Sequence, residues 1–423
     1  MKTFGRLGRA VLALTVTACG SVTETPPDAP PPDGSPVEDE GTEITMTVYS
    51  AAALAQDGGT TFVALVAYQD GAGPWQAMTG AAGVYRARVK DPRYGVAVAC
   101  VPRQLEGGVR EGDVSVWHST TAEQVDLKDL SCVSAGTPRT ITGAAIGDLG
   151  LGTFEIQSAG NVRHDATNRE FAIPAPTGRF PVFGVAFQRS TTVPAKVVRA
   201  PDVDTAVGGA VSVDFDQAVP PKPYPLTVVG GAATPTVSTS VRNGDLFFAR
   251  MDGSPTEYLS VPPTLLRGGD LVRLYVVTVD SLLLWRSSLL YLGTPGPATI
   301  DFATPFAVAA PTLTQGTQLL PTFSLPTGGT TQPFVDYSFR VSTSDDEAYT
   351  RLVASFSSGW LGTAGPVTYS YPDLSGVAGW DEGMALGAGR PVDWSATRVE
   401  MSTREFVAGR KVYSSMSNGT VNP

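Results

Sequence analysis

The chain has 423 residues, of which 17% are charged, and it contains 46 glycines and 34 prolines. So many turn-forming residues exclude a coiled coil or a helical bundle, because both need long runs without helix breakers. The formal net charge is −10, and this argues against nucleic acid as a partner, because phosphate binding needs a cationic face. The length predicts two to four units, each able to bury its own core.

The N-terminus has the pattern of a signal peptide. Three basic residues precede an apolar stretch, residues 10–16, that is too short to cross a bilayer. It ends in Val-Thr-Ala-Cys at residues 16–19, which resembles the lipobox of bacterial lipoproteins. The resemblance implies that residues 1–18 are a lipoprotein signal peptide that is removed, and that Cys19 is lipidated. An ordinary secretory signal followed by a chance cysteine is the alternative.

Residues 20–42 combine proline clusters with acidic side chains and contain very few apolar residues. Such a segment cannot bury enough surface to offset its chain entropy, so residues 19–42 are predicted to be a lipidated, disordered tether. Gly20, and not aspartate, follows Cys19, and in the lipoprotein family this implies sorting to the outer membrane. We therefore expect a protein anchored by lipid in a bacterial outer membrane, facing the periplasm or the cell surface.

From residue 43 onward the sequence predicts an all-β fold. Residues 84–89 alternate with period two, and residues 94–100 place Tyr94, Val96, Val98 and Cys100 on one face at the same period, which is typical of strands. Asn-Gly and Asp-Gly pairs separate such segments, as they do in hairpins and loops. No long amphipathic helix is evident.

A weak internal repeat divides this β-rich part. Asp126, Asp214 and Asp301 lie in similar tripeptides and are separated by 88 and 87 residues, and Asp393 follows 92 residues later. The spacing predicts four tandem units of roughly 75 to 100 residues, each with about seven short strands, the size of a small β-sandwich. The first three aspartates are expected at equivalent positions, capping turns near unit boundaries. The predicted units are 43–135, 136–222, 223–308 and 309–423.

In period and strand pattern the units resemble the immunoglobulin-like and transthyretin-like modules that occur in tandem on bacterial surface proteins. The resemblance implies a β-sandwich fold and no activity. A β-propeller, with two blades of about 45 residues in each period, is the alternative.

Two cysteines remain beside Cys19. Cys100 lies on the apolar face of its predicted strand, and Cys132 lies in the segment that closes the same unit. In an oxidising compartment this even pair predicts a disulfide between Cys100 and Cys132, and two buried free thiols are the alternative. Two thiols without nearby histidines do not complete a zinc shell, so no metal and no other cofactor is predicted.

Little in the sequence supports an enzyme. Neither histidine, His118 or His164, is accompanied by a nucleophile motif such as Gly-x-Ser-x-Gly. Acidic pairs such as Asp214 with Asp216 could serve glycoside hydrolysis, and the acids at 345–347 could ligate Ca²⁺, but such pairs are common among 40 acidic residues. We expect no catalytic activity, with a hydrolase of glycosides or peptides as the alternative.

The expected function is a non-enzymatic binding or structural module of the cell envelope, attached to the membrane by lipid. A glycan or an envelope protein is the expected partner, and a purely architectural spacer is a further alternative. Trp380 lies in a glycine-flanked loop beside Asp381 and Glu382, and the final unit also contains Trp360 and Trp394. An exposed ring there could stack on a sugar or anchor a protein. Trp360, Trp380, Asp381 and Glu382 are therefore the predicted binding residues, whereas Trp394 is predicted to fill the core.

Overall fold

The structure, a computed structural model, describes most of the chain after residue 40. The described ranges are 41–49, 60–104, 110–129, 132–134, 139–149, 153–158, 162–165, 169–175, 177–188, 193–208, 210–231, 234–244, 246–281, 284–315, 318–326, 332–344, 348–362 and 366–422. Strands make up 64% of the structure, and no closed barrel or propeller forms in this part of the chain. The all-β prediction is confirmed, and the propeller is excluded. Cys19 and residues 1–40 lie outside the described residues.

The first module contains the strands β1 to β9. They are β1 (Thr42–Thr47), β2 (Thr60–Thr61), β3 (Val63–Asp70), β4 (Gln76–Ala77), β5 (Thr79–Ala81), β6 (Val84–Val89), β7 (Arg93–Gln104), β8 (Arg110–Thr120) and β9 (Asp126–Lys128). One sheet has the order β5-β6-β1-β9, and strands β4-β3-β7-β8 lie side by side in another. Both contribute to a core that includes Ile44, Val96 and Val98. The following strand, β10 (Val133–Ser134), pairs with β2.

The second and third modules each pair a three-stranded group with a four-stranded one. The second consists of β11 (Arg139–Ile146), β12 (Phe154–Ser158), β13 (Val162–Asp165), β14 (Glu170–Ala175), β15 (Arg179–Phe187), β16 (Pro194–Asp204) and β17 (Ala210–Asp214). The third consists of β18 (Lys222–Val229), β19 (Thr236–Asn243), β20 (Leu246–Asp252), β21 (Glu257–Ser260), β22 (Leu271–Ser281), β23 (Leu284–Leu292) and β24 (Ala298–Asp301). Their strand orders are β14-β11-β17 with β13-β12-β15-β16, and β21-β18-β24 with β20-β19-β22-β23.

The fourth module also combines three strands with four, but in a different strand order. It consists of β25 (Thr312–Gln315), β26 (Leu319–Leu325), β27 (Phe334–Ser344), β28 (Ala348–Ser357), the one-turn helix α1 (Ser358–Leu361), β29 (Val367–Ser370), β30 (Val392–Met401) and β31 (Lys411–Val421). Its strand orders are β25-β26-β29 and β28-β27-β30-β31. Short 3-10 turns at Phe215–Gln217, Pro263–Leu265 and Glu382–Met384 are the other helical segments in the described ranges.

In the first three modules the first strand pairs in parallel with the last one, as β1 with β9, β11 with β17 and β18 with β24. Asp214 and Asp301 both end the last strand, opposite the last residue of the first strand. Asp126 does not occupy the equivalent position. It is the first residue of β9 and pairs with Thr45, two residues before the end of β1. Asp393 lies in β30, between β27 and β31, so its spacing is not part of the repeat.

The larger sheets of three modules join into one sheet of twelve strands. Its order is β20-β19-β22-β23-β31-β30-β27-β28-β8-β7-β3-β4. Strand β23 of the third module pairs antiparallel with β31, and β28 pairs in parallel with β8 of the first module. The fourth module therefore lies between the third and the first in the sheet. The sequence did not indicate this joining.

The first module is covered on both faces of its part of the long sheet. Tyr94, Val96 and Val98 of β7 face the core of that module, while Ala97 and Ala99, on the opposite face, belong to the core of the fourth module. All five residues are buried. A strand that is buried on both faces reads as a continuous run of apolar and small residues, which is the pattern of residues 94–100.

The second module packs on the third through side chains and not through strand pairing. Phe183 and Val185 share a buried cluster with Phe248 of β20. Beside them Arg199 forms an ion pair with Asp270, and these two side chains are 3% and 0% exposed. Arg199 also forms an ion pair with Asp202, and Asp270 also accepts a hydrogen bond from the Asn243 side chain. These buried polar groups therefore satisfy one another across the contact between the two modules.

The predicted disulfide joins Cys100 of β7 to Cys132, whose Cα atoms are 5.0 Å apart. Both residues are buried in the core of the first module. The bond connects the long sheet to the segment that leads into β10.

We expect the double variant Cys100→Ala/Cys132→Ala to unfold at a lower urea concentration than the oxidised protein. The bond closes a loop with a sequence separation of 32 residues, for which the chain-entropy estimate is about 3 to 4 kcal/mol. Urea unfolding followed by tryptophan fluorescence measures the difference. The reduced wild type should match the variant, and equal midpoints for the variant and the oxidised protein would show that the bond adds no stability.

Candidate functional site

The predicted binding residues lie where the fourth module meets the first. Trp360 is in α1, and Trp380, Asp381 and Glu382 are in the loop 371–391 between β29 and β30. This loop crosses the first module's part of the long sheet, and its turn Glu382–Met384 lies against β7 and β8. The site is therefore part of a junction between modules.

Glycines allow the close approach of this loop to the first module. A Cβ added to Gly379 would lie 2.4 Å from the carbonyl oxygen of Ala64, and one added to Gly112 would lie 2.5 Å from that of Gly383. Gly379 also has a φ of +96°, which side chains disfavour. Gly379, one of the glycines that flank Trp380, is thus needed for packing.

His118 of β8 lies at the centre of an aromatic group, which we call the His118 cluster, and which consists of His118, Trp75, Phe356, Trp360 and Tyr369. The imidazole stacks on Phe356, with ring centroids 5.2 Å apart and an interplanar angle of 9°. The indole of Trp360 lies 4.4 Å away and that of Trp75 6.1 Å away, centroid to centroid. Nε2 of His118 is 3.2 Å from the Tyr369 hydroxyl oxygen, at hydrogen-bonding distance.

The electrostatics of the cluster favour neutral rings. Burial lowers the pKa of His118 to about 3, and burial raises the pKa of Tyr369. Nδ1 of His118 is buried and has no hydrogen-bond partner among the described residues. The nearby carboxylate of Glu123 accepts hydrogen bonds from the Ser357 hydroxyl and from the Gly359 N–H instead. The neutral imidazole is thus packed among the aromatic rings of the cluster.

The four predicted residues differ in their surroundings. Trp360 and Trp380 are half-buried and pack against the core of the fourth module. Asp381 is exposed, but its carboxylate accepts a hydrogen bond of 2.7 Å from the Gly383 N–H and caps the following turn. Glu382 is exposed beside it. The indoles are accessible in part, and binding through them stays a prediction. Trp394 is buried, 7% exposed, in the core.

Sequence reasoning missed Trp75 and Tyr369, although both contact His118. A signal for this contact is present in β7, where Gly95, Ala97 and Ala99 alternate with larger residues. A Cβ on Gly95 would lie 2.9 Å from the Trp75 ring and 3.1 Å from the His118 ring. The alternating small residues therefore indicate a sheet face against which large rings pack closely.

The other candidate groups do not form a second site in the described ranges. Asp214 caps the turn that follows it by accepting a hydrogen bond from the Asp216 N–H. The acids at 345–347 and the side chain of His164 lie outside the described residues. No group of three or more metal-ligating side chains occurs in the part of the chain searched. A cavity of about 460 Å³ lies in the second module, lined by residues that include Asp202, Asp204 and Val207.

Comparisons with known proteins add little. No protein family and no curated protein matches the sequence. Among solved structures, a streptococcal ancillary pilin is 10% identical, and the match covers 60% of this chain and 90% of the pilin chain with a TM-score of 0.12. A score this low carries no argument about function. Within the described residues, no helix is long and apolar enough to span a membrane.

Acidification is expected to destabilise the protein through His118. Its pKa is about 3 in the folded state, against an ordinary value of 6.5 for histidine, so between pH 3 and pH 6.5 the unfolded chain binds a proton that the folded protein does not. The stability that the neutral ring contributes is complete above pH 6.5 and is lost as the pH falls toward 3. At pH 5 the free energy of unfolding is lower by about 2 kcal/mol, because it falls by about 1.4 kcal/mol for each pH unit below 6.5.

Urea unfolding of the wild type and of His118→Gln at pH 7 and pH 5 measures this loss. Glutamine retains a polar group to bond to Tyr369 but does not titrate, so the variant should lose less stability between the two pH values than the wild type. His164→Gln is the matched control and should behave like the wild type. An equal pH dependence in His118→Gln and the wild type would show that His118 does not titrate as described.

Proposed function

We propose that this protein is a lipid-anchored protein of the bacterial cell envelope that acts without catalysis, as a rigid body that presents a binding surface to another envelope component. The lipobox-like sequence at residues 16–19 supports the lipid anchor, and the twelve-stranded sheet supports the rigid body. Tandem domains joined by linkers move relative to one another, whereas modules that share one sheet do not. A rigid body of this kind suits a protein that holds a partner at a fixed position.

Contacts beside the strand pairing support the rigidity. Arg351 of β28 forms an ion pair with Asp113 of β8, directly opposite to it in the sheet. Glu123 of the first module binds the residues that begin α1. A hinge motion between the modules would break these contacts together with the backbone hydrogen bonds.

The proposed binding surface is formed by Trp360 and Trp380 with the carboxylates of Asp381 and Glu382. A half-exposed indole can stack on the apolar face of a sugar ring, while carboxylates accept hydrogen bonds from its hydroxyl groups. A glycan is therefore the first candidate partner, and an envelope protein is the second. The rigid sheet would also suit a spacer, and the binding experiment below separates the two functions.

Replacement of Cys19 by serine should release the protein from membranes. Two or three acyl chains at the N-terminus anchor a protein stably, whereas a chain without lipid has no such attachment. Fractionation followed by intact-mass measurement should show the wild type in the membrane fraction with its mass beginning at lipidated Cys19. Gly20→Ala, which retains the cysteine, is the control and should stay in the membrane. Cleavage at another residue without an acyl group would contradict lipidation.

The variant Trp380→Ala should bind envelope glycan at least tenfold more weakly than the wild type, a change of about 1.4 kcal/mol or more. Full-length protein in detergent and soluble peptidoglycan fragments, with an array of bacterial glycans, are suitable for the measurement. Trp285→Ala is the matched control, because that indole is 42% exposed in the third module. A lower stability of Trp380→Ala with unchanged affinity would assign the indole to packing, and no binding by the wild type would favour the spacer.

A further inference from the structure

One face of the long sheet is accessible over its central strands. Phe339 of β27 faces the core of the fourth module, and Leu274 and Leu290 of β22 and β23 face that of the third. The alternate residues of these strands point to the other side of the sheet. On that side the core of the first module covers β3 and β7, and Phe406, in the loop between β30 and β31, packs on Tyr291 of β23.

The outward residues between these two covered regions form a surface that we call the open face. It extends over six neighbouring strands, β22, β23, β31, β30, β27 and β28. Its members are exposed or half-buried, except for Thr397, which is 8% exposed. They are the first and then every second residue of the ranges 277–279, 285–287, 414–420, 393–399, 336–342 and 349–355.

A row of directly opposed residues crosses the open face from one strand to the next. Its members are, in order, Val279, Trp285, Met416, Thr397, Ser338 and Ser355. Trp285 is 42% and Val279 39% exposed, and Met416 beside them is half-buried. The outward residues of an antiparallel sheet that faces water are usually polar. An accessible tryptophan between a valine and a methionine indicates instead a surface that a partner covers.

The open face is neutral, although the chain has a net charge of −10. Its charged residues are two arginines and two aspartates, Arg340, Arg351, Asp336 and Asp393. Each of the four contacts a polar side chain of its own molecule. Molecules with the same net charge repel one another over most of their surface, so two copies of this chain approach each other best through a neutral face.

The area of the open face is sufficient for a stable dimer. Strands lie about 4.8 Å apart and residues on one side of a strand about 6.8 Å apart, so about twenty residues cover about 650 Å². Two copies packed face to face therefore bury about 1,300 Å² together, which is within the range of about 1,200 to 2,000 Å² for specific interfaces.

We propose that the open face is the interface between two copies of this chain. Two sheets pack face to face at about 10 Å with their strands nearly aligned. A two-fold axis that runs across the strands places the Trp285 end of one copy on the Trp285 end of the other, so the apolar residues of both leave water together. The serines and threonines elsewhere on the face are small enough for close approach, and their hydroxyl groups can bond to one another across the interface.

Sedimentation equilibrium of the full-length protein in density-matched detergent tests the proposal. The mass should rise from that of one copy to that of two as the concentration is raised from about 0.1 to 100 μM. Met416→Glu places two like charges where the copies meet, and Trp285→Ala removes the exposed ring, so each should weaken the dimer about tenfold or more. Urea unfolding of each variant checks that it is folded.

Val207→Glu is the matched control for the introduced charge. Val207 is 85% exposed in the second module, away from the open face, so this variant should dimerise like the wild type. Cys19→Ser protein without detergent should dimerise with the same affinity, which distinguishes a dimer from two copies that share a micelle.

Hydroxyl-radical labelling locates the interface. Labelling of Met416 and Trp285 should decrease as the dimer forms, whereas labelling of Trp380 should not, because its loop packs with the core on the opposite side of the sheet. A single copy at every concentration, dimers in detergent alone, equal affinities of Met416→Glu and Val207→Glu, or unchanged labelling of Met416 in the dimer would each overturn the proposal.

Discussion

The parallel pairing of β8 with β28 is the interaction on which the arrangement of the modules depends. Each would otherwise be the edge strand of a four-stranded sheet, with a row of backbone N–H and C=O groups unpaired. Their pairing extends from Arg110 to His118 and from Ala348 to Phe356, and it provides partners for these groups. It also places the fourth module's loop 371–391 on the first module. The candidate site and the position of His118 both follow from this one contact.

The side chains of the first module are suited to such a contact. Gly95, Ala97 and Ala99 have no side chain or only a methyl group on the outer face of β7. Aromatic and aliphatic groups of the fourth module can therefore approach this face closely. His118 lies at the edge of this face and becomes 4% exposed. Its low pKa is thus a consequence of how two modules pack. A histidine kept neutral in this way makes the junction between the two modules sensitive to acid.

The sequence predicted those features that depend on local pattern. Alternation with period two identified the strands, and the even pair Cys100 and Cys132 identified the disulfide. The joining of the sheets could not be predicted in this way, because edge strands pair through backbone groups, which every residue except proline supplies. Tyr369 was missed for a related reason, since it lies 251 residues from His118 in the sequence. Asp393 was wrongly counted with the repeated aspartates, because a tripeptide pattern does not show in which strand of a module the tripeptide lies.

The order of modules in the sheet, and not their order in the chain, determines which surfaces lie far from the N-terminal end. In the sequence, the final unit is the one farthest from the N-terminal residues. In the sheet, however, β28 of that unit is the neighbour of β8, and the edge opposite the first module is β20 of the third. The second module packs beside that edge. Within the sheet, the first module occupies the β4 end and the third module occupies the β20 end. Trp380, by contrast, lies in the loop that packs on the first module.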